Sequence, residues 1–249
     1  KTILLFCYVL FFNSLFAQKH PTQFFVIFII VSHNSLSMKS EVQSQRSEAK
    51  ELTFNGWEMT LFDSKVISPN YKLITSDGVL SRDISKMPVA LNGYTRNGAR
   101  VSLTINDGFI FGFVKDRDIT YNIEPLSHYS STALKDEYII YTNVDILDKS
   151  PKTCGANHEQ RLHNEMEHQH QNNGNRVGDC LIIEYAIASD FAMVLEYGTV
   201  TAVENHNVGI TNDVQTNFDD EFADELQFEI TQQFVSSCAA CDPWSNTTD

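Results

Sequence analysis

Positive charge is scarce in this chain. Eighteen Lys and Arg stand against thirty-two Asp and Glu, a formal net charge of −14. That balance excludes a nucleic-acid binder, because phosphate contacts need a basic surface. Long apolar runs are missing as well. Ile3 to Phe12 and Phe24 to Val31 are both too short to span a bilayer, so no stable membrane span is expected. Cysteine is sparse, with five in 249 residues. The first, Cys7, lies in the amino-terminal apolar run. Cys154, Cys180, Cys238 and Cys241 remain, an even number that allows two bridges in an oxidising compartment. The length allows one large domain or two ordinary ones.

The amino terminus has the pattern of an export signal. Lys1 supplies a positive start, Ile3 to Phe12 an apolar core, and Leu15-Phe16-Ala17 a small-residue cleavage site before Gln18. Residues 1–17 are therefore expected to direct secretion, and the missing initial Met implies that a residue or more precedes Lys1. The Phe24 to Val31 run reads either as a buried strand or as a second signal core, and an anchor over residues 1–31 is a further reading. Residues 18–50 are taken as a linker, because 32–50 are rich in Ser, Gln and Glu without an apolar period.

From Glu51 the pattern changes to alternation. Leu52 and Phe54, then Trp57, Met59 and Leu61, flank Asn55-Gly56 as a strand pair or a bulged strand. The clearest hairpin runs from Arg100 to Val114. Val101, Leu103 and Ile105 alternate with Ser102, Thr104 and Asn106, Asp107-Gly108 turns the chain, and Phe109, Phe111 and Phe113 return on one face. Gly112 marks a bulge or a crowded crossing. Ile119 to Ile123 and Tyr138 to Tyr141 are further strands, so residues 51–150 read as a β-rich domain. Residues 151–179, with Pro, Gly, Asn, Gln and four of the eight His, read as a processing linker. Over 180–249 a strand from Cys180 to Ala188 is expected, buried on both faces. A helix follows, with a capping box at Thr201 to Glu204 and an apolar stripe of Val200, Val203, Ile210, Val214 and Phe218. Leu226, Phe228 and Ile230 then alternate as a strand. That order predicts a βαβ unit, and a lone βαβ unit leaves a sheet face uncovered, so the native protein is expected to continue past Asp249.

Several of these pieces, in this order, resemble one family. Phe54 to Leu61, Val66 to Asn70, Tyr94, Val101 to Ile105 with Asp107-Gly108, and Tyr121 to Leu126 followed by His128 resemble the propeptide of reprolysin-like (adamalysin) metzincin zinc metalloproteases, most closely the secreted bacterial type. Pro151-Lys-Thr-Cys-Gly155 is similar to that family's cysteine switch, and Leu181 to Asp190 with Met193 and Tyr197 to the start of its catalytic domain. The resemblance implies an α+β protein overall: an all-β propeptide domain followed by the first βαβ unit of a metzincin-like α/β catalytic domain, incomplete within residues 180–249. It implies a secreted zinc metalloendopeptidase in zymogen form, acting on protein or peptide substrates and released by an activating protease.

In such an enzyme three His hold zinc, and a Glu takes a proton from the metal-bound water. No His-Glu-x-x-His occurs in the sequence: His158-Glu159 is followed by His163, five positions on, so no catalytic residue is assigned. Cys154 is the expected inhibitory zinc ligand, since a thiolate in the open position displaces the water. Arg161 and Arg176 are candidate processing points. Glu184, six residues before Asp190, stands where the family has a calcium-binding acid. Cys238-Ala-Ala-Cys241 has the spacing of a redox pair or half a zinc site. It precedes Asp242-Pro243 rather than a helix, which favours a structural disulfide or bonds to other cysteines. The alternative reading is a non-enzymatic secreted β-rich binding or adhesion module.

Overall fold

Alternation builds most of this protein. The computed structural model describes residues 24–80, 83–147, 181–222 and 225–244. In chain order the elements are β1 (Ile29–Ser32), α1 (Ser35–Ser44), β2 (Lys50–Phe54), β3 (Trp57–Asp63), β4 (Ile67–Thr75), β5 (Gly78–Leu80), β6 (Val89–Thr95), β7 (Arg100–Asn106), β8 (Phe109–Asp116), β9 (Ile119–Pro125), β10 (Glu137–Thr142), β11 (Leu181–Ser189), α2 (Phe191–Tyr197), α3 (Val200–Phe222) and β12 (Leu226–Val235). Eight strands form a curled antiparallel sheet in the order β1-β10-β9-β8-β7-β6-β3-β2. A second sheet runs β11-β12-β4-β5, with β11, β12 and β4 parallel to their neighbours and β5 antiparallel.

The β7–β8 hairpin forms as its pattern predicts, and both of its faces are covered. Val101, Leu103 and Ile105, with Ile110 and Val114 opposite, enter the main core, where Met38 and Val42 of α1 join them. The other face carries Ser102, Thr104 and Asn106, in register with Phe113, Phe111 and Phe109, and α3 lies over it. Gly112 is the crowded crossing. Its φ is +145°, and a Cβ there would stand 2.1 Å from the Ser102 carbonyl oxygen. Residues 35–44, read above as part of a polar linker, form α1 instead. The Asn34 side chain caps it by accepting from Ser37 N at 2.7 Å, and Met38 and Val42, four apart, supply one buried stripe. The Phe24 to Val31 run ends in β1, which pairs with β10, but Ile29 and Ile30 are 52% and 48% exposed, so the strand is not the buried one expected; Phe25, ahead of it, is buried.

The expected fold class is corrected. The protein is mostly β, 46% strand against 26% helix, and a metzincin βαβ unit is not what the second part forms. β11 and β12 are parallel with α2 and α3 between them, but the other edge of β12 is taken by β4 from the first part of the chain. Helix α3 packs on β6, β7 and β8 of the large sheet as well as on β12. The reason is hydrogen bonding. The covered face of α3 is largely polar: Glu204, Asn205, Asn207, Asn212, Gln215 and Thr216 are buried beside Val203 and Val208, whereas Ile210 and Val214 of the expected apolar stripe are 44% and 39% exposed. Polar groups buried this way need partners, and the large sheet provides them. Asn212 Nδ2 donates to Leu91 O at 3.0 Å and to Ser102 Oγ at 3.1 Å, and Asn106 Nδ2 donates to Asn205 Oδ1 at 2.9 Å.

Smaller expectations move with it. The cap of α3 is Thr199, whose Oγ1 accepts from Ala202 N at 3.0 Å, while Glu204 of the expected capping box accepts from the Tyr71 hydroxyl at 3.0 Å. β11 is half-exposed instead of buried on both faces, because it is an edge strand with no neighbour beyond it among the described residues. Asp219 and Asp220, in the last turn of α3, lie 3.2 and 3.5 Å from Arg100.

Candidate functional site

The densest group of titratable side chains lies where the two parts of the chain meet. Strand β9 ends at Glu124-Pro125, and the 3-10 turn Leu126–His128 folds back so that His128, four residues on, faces Glu124. His128 Nδ1 is 3.2 Å from Glu124 Oε2, the Tyr129 hydroxyl donates to Glu124 Oε1 at 2.8 Å, and the Tyr141 hydroxyl of β10 donates to the same oxygen. From the second part, Tyr197 at the end of α2 sets its ring edge-on to His128 at 4.9 Å and stacks on His206 of α3 at 4.3 Å. The Tyr197 hydroxyl and His206 Nε2 are 3.0 Å apart. Phe111 closes the other side of His206 at 5.3 Å.

Burial sets the protonation of this group. Desolvation raises the Glu124 carboxyl, but hydrogen bonds from His128 and Tyr141, the His128 charge and the Tyr129 hydroxyl outweigh it and hold the group below the ordinary carboxylate range. Desolvation and the Glu124 charge push both phenols, Tyr129 and Tyr141, upward, so they remain donors. Tyr197 is raised to about 12, chiefly by burial. Burial, with His128 beside it, lowers His206 to about 4, so its ring is neutral at physiological pH. About two helical turns along α3 from His206, burial raises Asp213 to about 8. A Ser102 hydrogen bond opposes that rise and the Glu124 charge adds to it. Near neutral pH His206 is thus neutral and Asp213 protonated, while Glu124 is ionised.

This arrangement orients the His128 ring and locks aromatic rings across a boundary between segments. It does not gather metal ligands. Among the described residues no three His, Cys, Asp or Glu side chains are placed to share an ion. His128 Nδ1 is committed to Glu124 and His206 Nε2 to Tyr197. These residues therefore do not fit the zinc centre that the resemblance implies. No family model matches the chain, and no curated protein matches it in sequence. No helix among the described residues is long and apolar enough to cross a membrane.

The residues singled out from sequence fare unevenly. Cys154, Arg161 and Arg176 lie outside the described residues. Glu184 is exposed on β11, in register with Glu229 of β12, and it is not part of a metal-binding group among the described residues. His128 is brought into the cluster, and so is Tyr197. His206 and Tyr141 escape sequence reasoning. The available signal was a His flanked by Asn205 and Asn207 on a helix whose polar residues outnumber its apolar ones. Beside His206 an apolar groove of about 390 Å³ runs between β11 and α3, lined by Ile183, Tyr185, Ile187, Met193, Ile210 and Phe228 among others.

Proposed function

We propose that this chain is the latent, pro-region-bearing part of an exported zinc-dependent metalloendopeptidase, with Cys154 as the thiol that keeps the zinc centre closed. What carries this reading is the order of segments in the sequence: pro-region-like Phe54 to Leu126, then Pro151 to Gly155, then Leu181 to Asp190. The residues that resemble a protease pro-region and those that resemble the start of the enzyme are built into each other, through β4 on β12 and α3 on the large sheet. Pro151 to Gly155 falls in the connection between the two. Export is supported by the amino-terminal pattern and by the Cys238–Cys241 disulfide, which belongs to an oxidising compartment. In this reading an activating protease cuts near Arg161 or Arg176, the substrates are proteins or peptides, and Glu184 is a calcium candidate. The 249 residues contain no His-Glu-x-x-His, so the chain alone has no peptidase activity.

The test uses the natural full-length product. Its zinc-dependent peptidase activity is expected to be latent, and to rise on Cys154→Ala without proteolytic processing. Equal activity of the two proteins, or none from either after processing, defeats the proposal. A second reading, an exported β-rich binding module, is favoured by the apolar groove beside the edge of β11, which has no further neighbour among the described residues. It predicts ligand capture by the full-length product with no zinc-dependent hydrolysis.

A further inference from the structure

A second reactive group lies at the end of β12. Cys238 and Cys241 are joined by a disulfide across two intervening residues; Cys238, three residues after the strand, caps the one-turn 3-10 helix Ala239–Cys241. Closing so short a loop removes little entropy from the unfolded chain. The bond also joins no distant segments, so cross-linking explains little of its presence. Its surroundings suit exchange instead. Cys238 is exposed and Cys241 half-buried, so an incoming thiolate meets the Cys238 sulfur first. The Cys241 amide donates to Cys238 Sγ at 3.1 Å, a contact that stabilises negative charge on that sulfur once the bond is open.

The same turn acts as a clasp. Asp242, next in the chain, accepts a hydrogen bond from Phe191 N, the first residue of α2, at 3.0 Å. Trp244 packs its ring against Phe234 of β12 at 6.0 Å, and the Ser237 hydroxyl donates to Asp77 Oδ2 at 3.0 Å. Helix α2 ends at Tyr197, which stacks on His206. The redox state of the pair is therefore connected to the Glu124 cluster through one short helix.

We propose that Cys238–Cys241 is a thiol–disulfide exchange site that a dithiol partner reduces, opening the clasp on α2. A thiolate of the partner attacks Cys238 Sγ. The bond to Cys241 breaks, its electron pair leaves on the Cys241 sulfur, and a mixed disulfide joins the partner to Cys238. The partner's second thiolate attacks the partner's own sulfur in that mixed disulfide and Cys238 leaves as a thiolate. Two electrons pass to the chain, the partner becomes a disulfide, and its two thiol protons go to the new thiolates or to solvent. The site stands whether or not the chain belongs to a protease.

The experiment treats the whole chain with dithiothreitol under native conditions, maps each cysteine by differential alkylation and mass spectrometry, and follows amide exchange at Phe191. The pair is expected to open while the circular dichroism of the fold persists. Cys238 should then be alkylated at least about tenfold faster than Cys241. Phe191 N–H should exchange at least about tenfold faster than in the oxidised chain. With glutathione disulfide as the probe, the Cys238 thiolate of Cys241→Ser should form a mixed disulfide, releasing one glutathione thiolate, and Cys241 of Cys238→Ser should do so about tenfold more slowly. Opening only on loss of the fold, equal alkylation at both sulfurs, or an unchanged Phe191 amide overturns the proposal.

Discussion

Replacing Asp213 with Asn should stabilise this protein above neutral pH and leave it almost unchanged in acid. The carboxyl sits on α3 facing the large sheet, where its Oδ1 is enclosed without a hydrogen-bond partner among the described residues. Burial lifts the group to about 8 from an ordinary 3.8. A carboxyl raised in the folded state contributes stability that is fully present below 3.8 and is lost as pH rises through 8. At pH 7 the unfolded chain has already ionised, and the folded site still holds its proton. At ~1.4 kcal/mol per pH unit the difference costs about 4 kcal/mol. The residue as a whole is only half-buried, and water reaching it screens part of that, so about 2–4 kcal/mol is the expected gain from Asn. That corresponds to roughly 5–15 °C in Tm for a chain of this size. His206, lowered to about 4, works in the opposite direction: it loses stability as pH falls from 6.5 toward 4. Both proteins share that loss, so the difference between them isolates Asp213. Urea melts of each at pH 4, 6 and 8 make the measurement. A difference that does not change between pH 4 and pH 8, or a variant less stable at pH 8, refutes the assignment of an enclosed, protonated carboxyl.

Two further substitutions probe how α3 is held. Asn212→Ala removes the amide that serves Leu91 O and Ser102 Oγ and leaves a buried carbonyl without its donor. A loss of about 2–4 kcal/mol in the urea midpoint at unchanged slope is expected, and a loss under 0.5 kcal/mol would show that water replaces the amide. Gly209→Ala places a Cβ 2.6 Å from the Phe111 ring. It should cost about 1–3 kcal/mol, and Phe111→Leu in the same chain should recover much of it in a double-mutant cycle; additive losses would mean that helix and strand are not in contact there.

What could be read in advance was local. The β7–β8 hairpin was legible because strict alternation and Asp107-Gly108 each specify it within fifteen residues. The strand at Leu226 to Ile230 was legible by the same period. The extent of α3 was nearly so, but its orientation was not, because a periodic apolar stripe is normally the buried one. Here Ile210 and Val214 line an open groove while Asn205, Asn207 and Asn212 go inward. Nothing local to α3 announces that β7 will offer Ser102 and Thr104 as partners. Helix α1 was missed because two apolar residues four apart, Met38 and Val42, are a weak signal in a polar stretch. Of the site, Glu124 and His128 were within reach, being four residues apart in one segment. Tyr141, Tyr197 and His206 come from three other elements, the farthest 82 positions beyond Glu124.

By itself the sequence determined the strands, the tight turns, the acidic surface and the absence of a His-Glu-x-x-His motif, since each depends on neighbours in the chain. Only the tertiary structure decided that β4 continues the sheet of β12, that a largely polar helix face is a buried face, and that Glu124 remains ionised while His206 is neutral and Asp213 protonated. Those outcomes depend on desolvation and on hydrogen-bond partners supplied from about a hundred residues away, and neither is encoded in local periodicity.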